Sequence, residues 1–225
     1  MTDVKLISYS QLPLDSDLEL TTAQDLISYC ARVSNPANQM NTETSERLIK
    51  YLITHKHWSP LEMVSACLEI NTTRDIAHQI VRHRSFSFQE FSQRYAEPKD
   101  MGNQFVTREC RLQDTQNRQN SIETNDVELQ DEWLVLQNDL IKHASKVYEW
   151  AIEKGIAKEQ ARAVLPEGLT MSRMYVNGTL RSWIHFIELR SGNGTQLEHI
   201  EVAKACAEVI AKILPLARKF VQKDS

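Results

Sequence analysis

The chain opens on an alternating stretch, VKLISY (4–9), whose period-two pattern predicts a half-buried strand. Helical periodicity follows in TTAQDLISYCARV (21–33), with Thr21 or Thr22 as N-cap and Asn35-Pro36 as the break. TSERLIKYLITH (44–55) predicts a second amphipathic helix, capped by Thr44, with Leu48, Tyr51, Leu52 and His55 on one side. EMVSACLEINTT (62–73) reads as a strand. RDIAHQIVRHR (74–84) reads as a helix with Ile76, Ala77, Ile80 and Val81 on its apolar face. SFSFQEFSQRY (85–95) alternates and predicts an extended segment, and FVTRECRL (105–112) predicts another strand. The polar run DTQNRQNSIETND (114–126) predicts a mobile loop. A long helix is expected from about Glu128 to Glu153, ending near Gly155, and then a short helix at KEQARAVLP stopped by Pro166. LTMSRMYVNG (169–178) predicts a strand and TLRSWIHFIELR (179–190) a helix. A final long helix is expected over 196–214, extended past Pro215.

Strands and helices alternate here without a regular βαβ rhythm, which points to an α+β fold with its long helices in the C-terminal half. No repeat, low-complexity tract or linker divides the sequence, so 1–225 is expected to form a single domain.

Composition narrows the function classes. The 225 residues are 41% hydrophobic and 25% charged, enough for a core in an ordinary globular protein. A net charge of -4 argues against a general nucleic-acid binder. The N-terminus lacks a basic segment followed by an apolar run, and no stretch approaches the roughly 20 apolar residues of a membrane span. A cytoplasmic protein is expected. Cys30, Cys67, Cys110 and Cys206 are far apart and form no CxxC pair, as reduced structural thiols would.

Against that acidic background, RHRSFSFQEFSQRY (82–95) concentrates cations and hydrogen-bonding groups. Cations at a helix end can simply complement the macrodipole. An extended segment after the helix adds to this: alternation puts Glu90, Ser92 and Arg94 on one face, with Phe91, Gln93 and Tyr95 on the other. On the helix, Arg74, His78 and Arg82 share one line, and Gln79 and His83 another. The two polar faces are expected to meet around residue 84 as a pocket for an anionic ligand, since arginine forks match phosphate. The chain has no GxxxxGK[ST] or GxGxxG loop, so side chains must hold any nucleotide. His55, His57, His78 and His83 lack metal-ligand spacing, and no metal is expected. From residue types alone, a small-molecule enzyme and a non-catalytic nucleotide- or nucleic-acid-binding module both remain open. So does a metal hydrolase built on the early histidines.

The same segment resembles the signature RHRxxSxNExSxRY of flavin-dependent thymidylate synthases, with Gln89 in place of Asn. HWSPLE (57–62) resembles the family's His-x-[Ser/Thr]-Pro-x-Glu element. ARAVLP (161–166) and NGTLRSWIHFIELR (177–190) resemble its C-terminal binding segments, in order. The resemblance implies reductive methylation of dUMP to dTMP. Methylenetetrahydrofolate gives the carbon, and FAD reduced by NADPH gives the hydride. It implies a twisted, largely antiparallel sheet with helices, in a homotetramer whose active sites form between subunits. It places His57, Ser59, Arg82, His83, Arg84, Glu90, Asn177, Arg181 and His185 at FAD. It places Gln79, Arg82, Glu90, Phe91, Ser92, Gln93, Arg94, Arg162 and Arg190 at dUMP. No cysteine lies in these motifs, so the uracil ring would be activated electrostatically. Arg190 is expected to carry that role, Arg94 and Arg162 to hold the 5′-phosphate, and Ser92 to donate a hydrogen bond.

Overall fold

A computed structural model describes residues 2–102 and 104–222. The elements, in chain order, are β1 (Asp3–Tyr9), α1 (Ala23–Ala31), α2 (Ser45–Thr54), β2 (Ser65–Thr73), α3 (Arg74–Ile80) and β3 (Ser87–Glu90). There follow β4 (Arg111–Gln113), β5 (Ser121–Glu123), α4 (Val127–Glu153), α5 (Lys158–Ala161), β6 (Met171–Thr179), α6 (Leu180–Arg190) and α7 (Leu197–Ile210). The main sheet is antiparallel throughout, in the order β1-β2-β6-β3, and β4-β5 form a separate hairpin. The fold is α+β with the long helices C-terminal, as the sequence predicts. No helix among the described residues is long and apolar enough to cross a membrane.

Alternation along β2 sends Ala66, Leu68 and Ile70 into the core, each with no exposed surface. They meet Met174 and Val176 of β6 and the inner faces of α6 and α7. Burying Leu68, Ile70, Met174 and Val176 contributes roughly 1.5–3 kcal/mol each. Trp183 of α6 is also fully buried, and its indole N–H donates to the Ala66 carbonyl at 3.0 Å. That bond pins α6 to β2. No loop separates β6 from α6: Thr179 ends the strand and caps the helix, its hydroxyl accepting from the Ser182 N–H. The segment 177–190 is therefore held rigidly against the sheet.

Several expectations need correction. The buried face of α2 carries Ser45, Ile49 and Leu52, whereas Tyr51 and His55 are exposed. The Ser45 hydroxyl donates to buried Asp25 at 3.0 Å and so turns α2 onto α1. α3 stops at Ile80, which leaves Arg82, His83 and Arg84 in the following turns. β3 ends at Glu90, so Glu90, Ser92 and Arg94 do not share a strand face. Beyond the Phe91 N–H bond to Arg173 the ladder runs out, and Ser92 opens a turn closed by bonds from the Tyr95 and Ala96 N–H groups. Residues 105–112 are not one strand. Phe105 bridges Thr170, and β4 begins only at Arg111. Between them, the side chain of buried Gln137 on α4 satisfies both the N–H and the C=O of Arg108, replacing a strand neighbour. The expected loop at 114–126 contains β5. α7 ends at Ile210, and a separate 3-10 turn covers Pro215–Phe220.

Gly178 is the tightest point of the sheet. A Cβ there would lie 2.3 Å from the Phe86 ring, which stacks near Trp183. Gly178→Ala must push Phe86 out of the cluster, so a loss of about 1–3 kcal/mol is expected in urea or thermal unfolding.

Candidate active site

The segment 82–86 runs along α6. Buried His83 is contacted edge-on by Phe86 and Phe186, and its Nε2 accepts from Arg190 Nε at 2.8 Å. Further up, the Ser182 hydroxyl donates to the Ser85 carbonyl. Because Arg190 donates to Nε2, that nitrogen must carry the lone pair, and the ring proton sits on Nδ1. Burial, with Arg190 and His185 nearby, pushes the His83 pKa down to about 4. The ring is therefore neutral at physiological pH. Arg190, itself partly buried, is gripped through Nε, which leaves its two terminal nitrogens without a protein partner among the described residues.

Next to this pair lies a directional chain of hydrogen bonds. Gln79 Nε2 donates to Gln196 Oε1 at 2.8 Å, and Gln79 Oε1 lies 3.1 Å from Nδ1 of fully buried His199. Gln196 Nε2 donates to Glu198 at 2.9 Å. Glu198 is in turn paired with Arg108 at 3.1 Å and with Arg111. Sequence reasoning missed Gln196, Glu198 and His199. A signal existed: His199 sits in the otherwise apolar stripe Val202, Ala203, Cys206, Ile210, all fully buried. Burial, then the neighbouring Arg190 and His83, push the His199 pKa down to about 3.

Glu90, at the end of β3, is fixed by the Ser172 hydroxyl at 2.7 Å and by Arg74 at 3.5 Å. The polar groups of α3 and β3 thus meet at the start of the helix and the end of the strand, not around residue 84 as expected. Phe91 and Ser92 are half-buried, and Gln93 is buried with its side-chain Nε2 unpaired among the described residues. The turn after Ser92 rests on α5. There Lys158 donates to the Tyr95 carbonyl, and Arg94 pairs with Glu159 at 3.5 Å. Arg162 follows α5 directly, three positions after Glu159. Arg94 thus reaches the first turn of that short helix, and Arg162 is its C-cap. His78 is engaged by Glu167 at the surface.

Arg82 and Arg84 are exposed, and the side chains of Arg82, Arg84 and Arg162 make no hydrogen bond or ion pair with another described residue. A cleft of about 400 Å³ beside the 82–85 segment is lined by Trp58, Glu62, Ser85, Arg181 and His185. Arg181 pairs with Glu62 across it. His57 and Ser59 stand exposed at the turn that carries Trp58 and Glu62. Asn177 lies between Cys67 and Ser87 in the sheet register, on the exposed face. Among the described residues, no group of three or more His, Cys, Asp or Glu is placed to hold a metal ion. Cys206 is fully buried, and burial pushes its thiol well above the usual range, so it cannot act as a thiolate.

A family model described as "Thymidylate synthase complementing protein" matches residues 18–216. The chain is 47% identical over 215 residues, 96% of each chain, to a "Probable flavin-dependent thymidylate synthase" of Paramecium bursaria Chlorella virus 1. It is 43% identical to the "Flavin-dependent thymidylate synthase" of Synechocystis sp., covering 95% of this chain and 96% of that one. A solved UMP/dUMP methylase, PolB from Streptomyces cacaoi bound with 5-Br dUMP, shares the fold. Its TM-score is 0.79 at 24% identity, over 98% of this chain and 94% of that one. On the family match and these two relatives, the chain belongs to the flavin-dependent thymidylate synthases.

Proposed function

We propose that the protein converts dUMP to dTMP by reductive methylation, without a cysteine nucleophile. The observation that carries this reading is the Arg190–His83 pair on the segment that bears the unpaired Arg82 and Arg84. Unpaired arginines at one locality suit phosphorylated ligands, because a guanidinium fork without a carboxylate partner is free to bind phosphate oxygens. Arg181 and His185 line the cleft, and Arg82, Arg84, His57 and Ser59 lie one to three residues along the chain from its lining residues Ser85 and Trp58, which fits an FAD; Asn177 joins them by the family resemblance. Glu90 adds an acceptor between the two ligands. When bound, FAD reduced by NADPH supplies the hydride, and methylenetetrahydrofolate supplies the carbon.

The chain's own residues do the rest. Arg94 and Arg162 hold the 5′-phosphate, and Gln79, Arg82, Phe91, Ser92 and Gln93 frame the nucleoside. Arg190, its Nε fixed by neutral His83, presents fixed positive charge to the uracil imide. Negative charge on the ring is thereby stabilised, and electron density at C5 rises, where the new carbon bond forms. A flexible lysine could not be aimed in this way.

The reading includes a homotetramer with sites between subunits. The apolar surface left exposed around α4 supports association, for Trp133, Leu134, Val135, Leu136, Leu140 and Trp150 are all exposed along that helix. Four free cysteines suit a cytoplasmic enzyme.

The test is incubation of the purified protein with dUMP, methylenetetrahydrofolate, FAD and NADPH. Flavin absorbance bleached by NADPH, together with dTMP formation, is expected. A protein that takes up no FAD and makes no dTMP contradicts the reading.

A further inference from the structure

The order of hydrogen bonds around Gln79 is dictated from one end. Glu198 is half-buried between Arg108 and Arg111. Burial opposes its charge, yet its own backbone N–H, Arg108, Gln196 and Arg111 together hold its carboxyl below the usual range. A carboxylate can only accept, so the neighbouring Gln196 must turn Nε2 towards it, as observed at 2.9 Å. That leaves Gln196 Oε1 facing Gln79, and an oxygen there demands a donor. Gln79 supplies Nε2 at 2.8 Å. Its own Oε1 then points at His199 Nδ1, 3.1 Å away, which must carry the ring proton. Nε2 of the same imidazole is buried without a partner, as a neutral ring with its proton on Nδ1 leaves it.

We propose that Glu198, acting through Gln196, and His199 at the other end fix which way the Gln79 carboxamide faces. The pattern that Gln79 offers the nucleotide, one free N–H and one free lone pair, is thereby fixed too. A carboxamide free to turn over exchanges donor for acceptor and loses that discrimination. Glu198, Gln196 and His199 are positioning residues, because none needs to touch the ligand. The inference rests on Gln79 being part of the dUMP site.

The experiment compares dUMP kinetics and FAD affinity across wild type, His199→Phe, His199→Asn and Gln196→Met. His199→Phe keeps a ring among apolar neighbours but deletes the Nδ1 donor. It is expected to raise KM for dUMP between about threefold and tenfold, the effect of one lost hydrogen bond. FAD affinity and the rate of NADPH-driven flavin reduction without dUMP should stay near wild type. His199→Asn places an amide N–H where the ring N–H stood, and should return KM towards the wild-type value. Gln196→Met, at a half-buried position, should raise KM for dUMP in the same way even if the phenylalanine variant fails to fold. An unchanged KM in both deleting variants overturns the inference. So do parallel losses of FAD affinity with no rescue by asparagine, which would mark a purely structural role. A wild type that makes no dTMP removes the functional reading and the inference with it; an active wild type with unaffected variants removes the inference alone.

Discussion

Arg190→Ala is expected to lower the rate of dTMP formation by roughly 10²–10³-fold, the usual effect of deleting one fixed charge-stabilising donor. The loss should fall mainly on kcat. Arg94, Arg162 and the 90–93 segment remain to hold the nucleotide, so dUMP still binds. The geometry supports this division. Arg190 is anchored through Nε to a buried neutral imidazole, and a partly buried guanidinium so held spends no reorganisation as charge develops on the ring. Arg190→Lys should recover little, since an ammonium cannot both reach His83 and face the imide as a planar fork. Steady-state kinetics with direct dUMP titration separate the two effects. Full activity in Arg190→Ala with normal dUMP binding would exclude Arg190 as the activating group.

The second large effect is on acid stability. In the folded protein His83 takes up a proton only near pH 4 and His199 only near pH 3, whereas both do so near 6.5 when unfolded. Between those limits the unfolded chain binds more protons than the native one, so stability rises with pH and falls as pH drops below about 6.5. At about 1.4 kcal/mol per pH unit, each histidine removes about 1–2 kcal/mol by pH 5. Glu198 extends the trend downward. Its carboxyl is held below 4.5 in the fold, so the stability it contributes is present above that value and lost as pH falls through the depressed one. Urea unfolding at pH 7, 6 and 5 measures this. His199→Asn should show a shallower fall between pH 6.5 and 5, because the buried titrating ring is gone. A midpoint unchanged from pH 7 to pH 5 would contradict neutral burial of the two rings.

The parts of the fold that followed the sequence are those where one pattern decides the outcome. The period-two burial of β2 and the strand–helix junction at Thr179 are both local, and Gly155 at φ 75 closes α4 as a helix-ending glycine does. The failures came from long-range partners. Alternation in 85–95 continues in sequence past Glu90, but the Arg173 carbonyl is the last rung that β6 offers. Residues 105–112 have strand composition, yet the side chain of Gln137 satisfies the Arg108 backbone in place of a neighbouring strand. α2 turned its face because a serine hydroxyl found a buried aspartate on α1. The site divides in the same way. The arginines at 82, 84 and 94 stand at the spacing of a family signature, and their resemblance to it was legible in the sequence. A histidine within an apolar helix stripe reads as core until Gln79, 120 positions away, is found against it.

An arginine-rich site that methylates dUMP without a thiol should survive removal of the exposable thiols. That is tested by dTMP formation in the triple variant Cys30→Ala, Cys67→Ala, Cys110→Ala. Cys206 is left in place, since it is sealed in the core. The assay contains dUMP, methylenetetrahydrofolate, FAD and NADPH, with each component omitted in turn. The triple variant is expected to make dTMP at close to the wild-type rate in the full mixture and none when FAD or NADPH is left out. Abolished turnover in the folded, flavin-loaded variant, or undiminished turnover without FAD, would contradict that expectation.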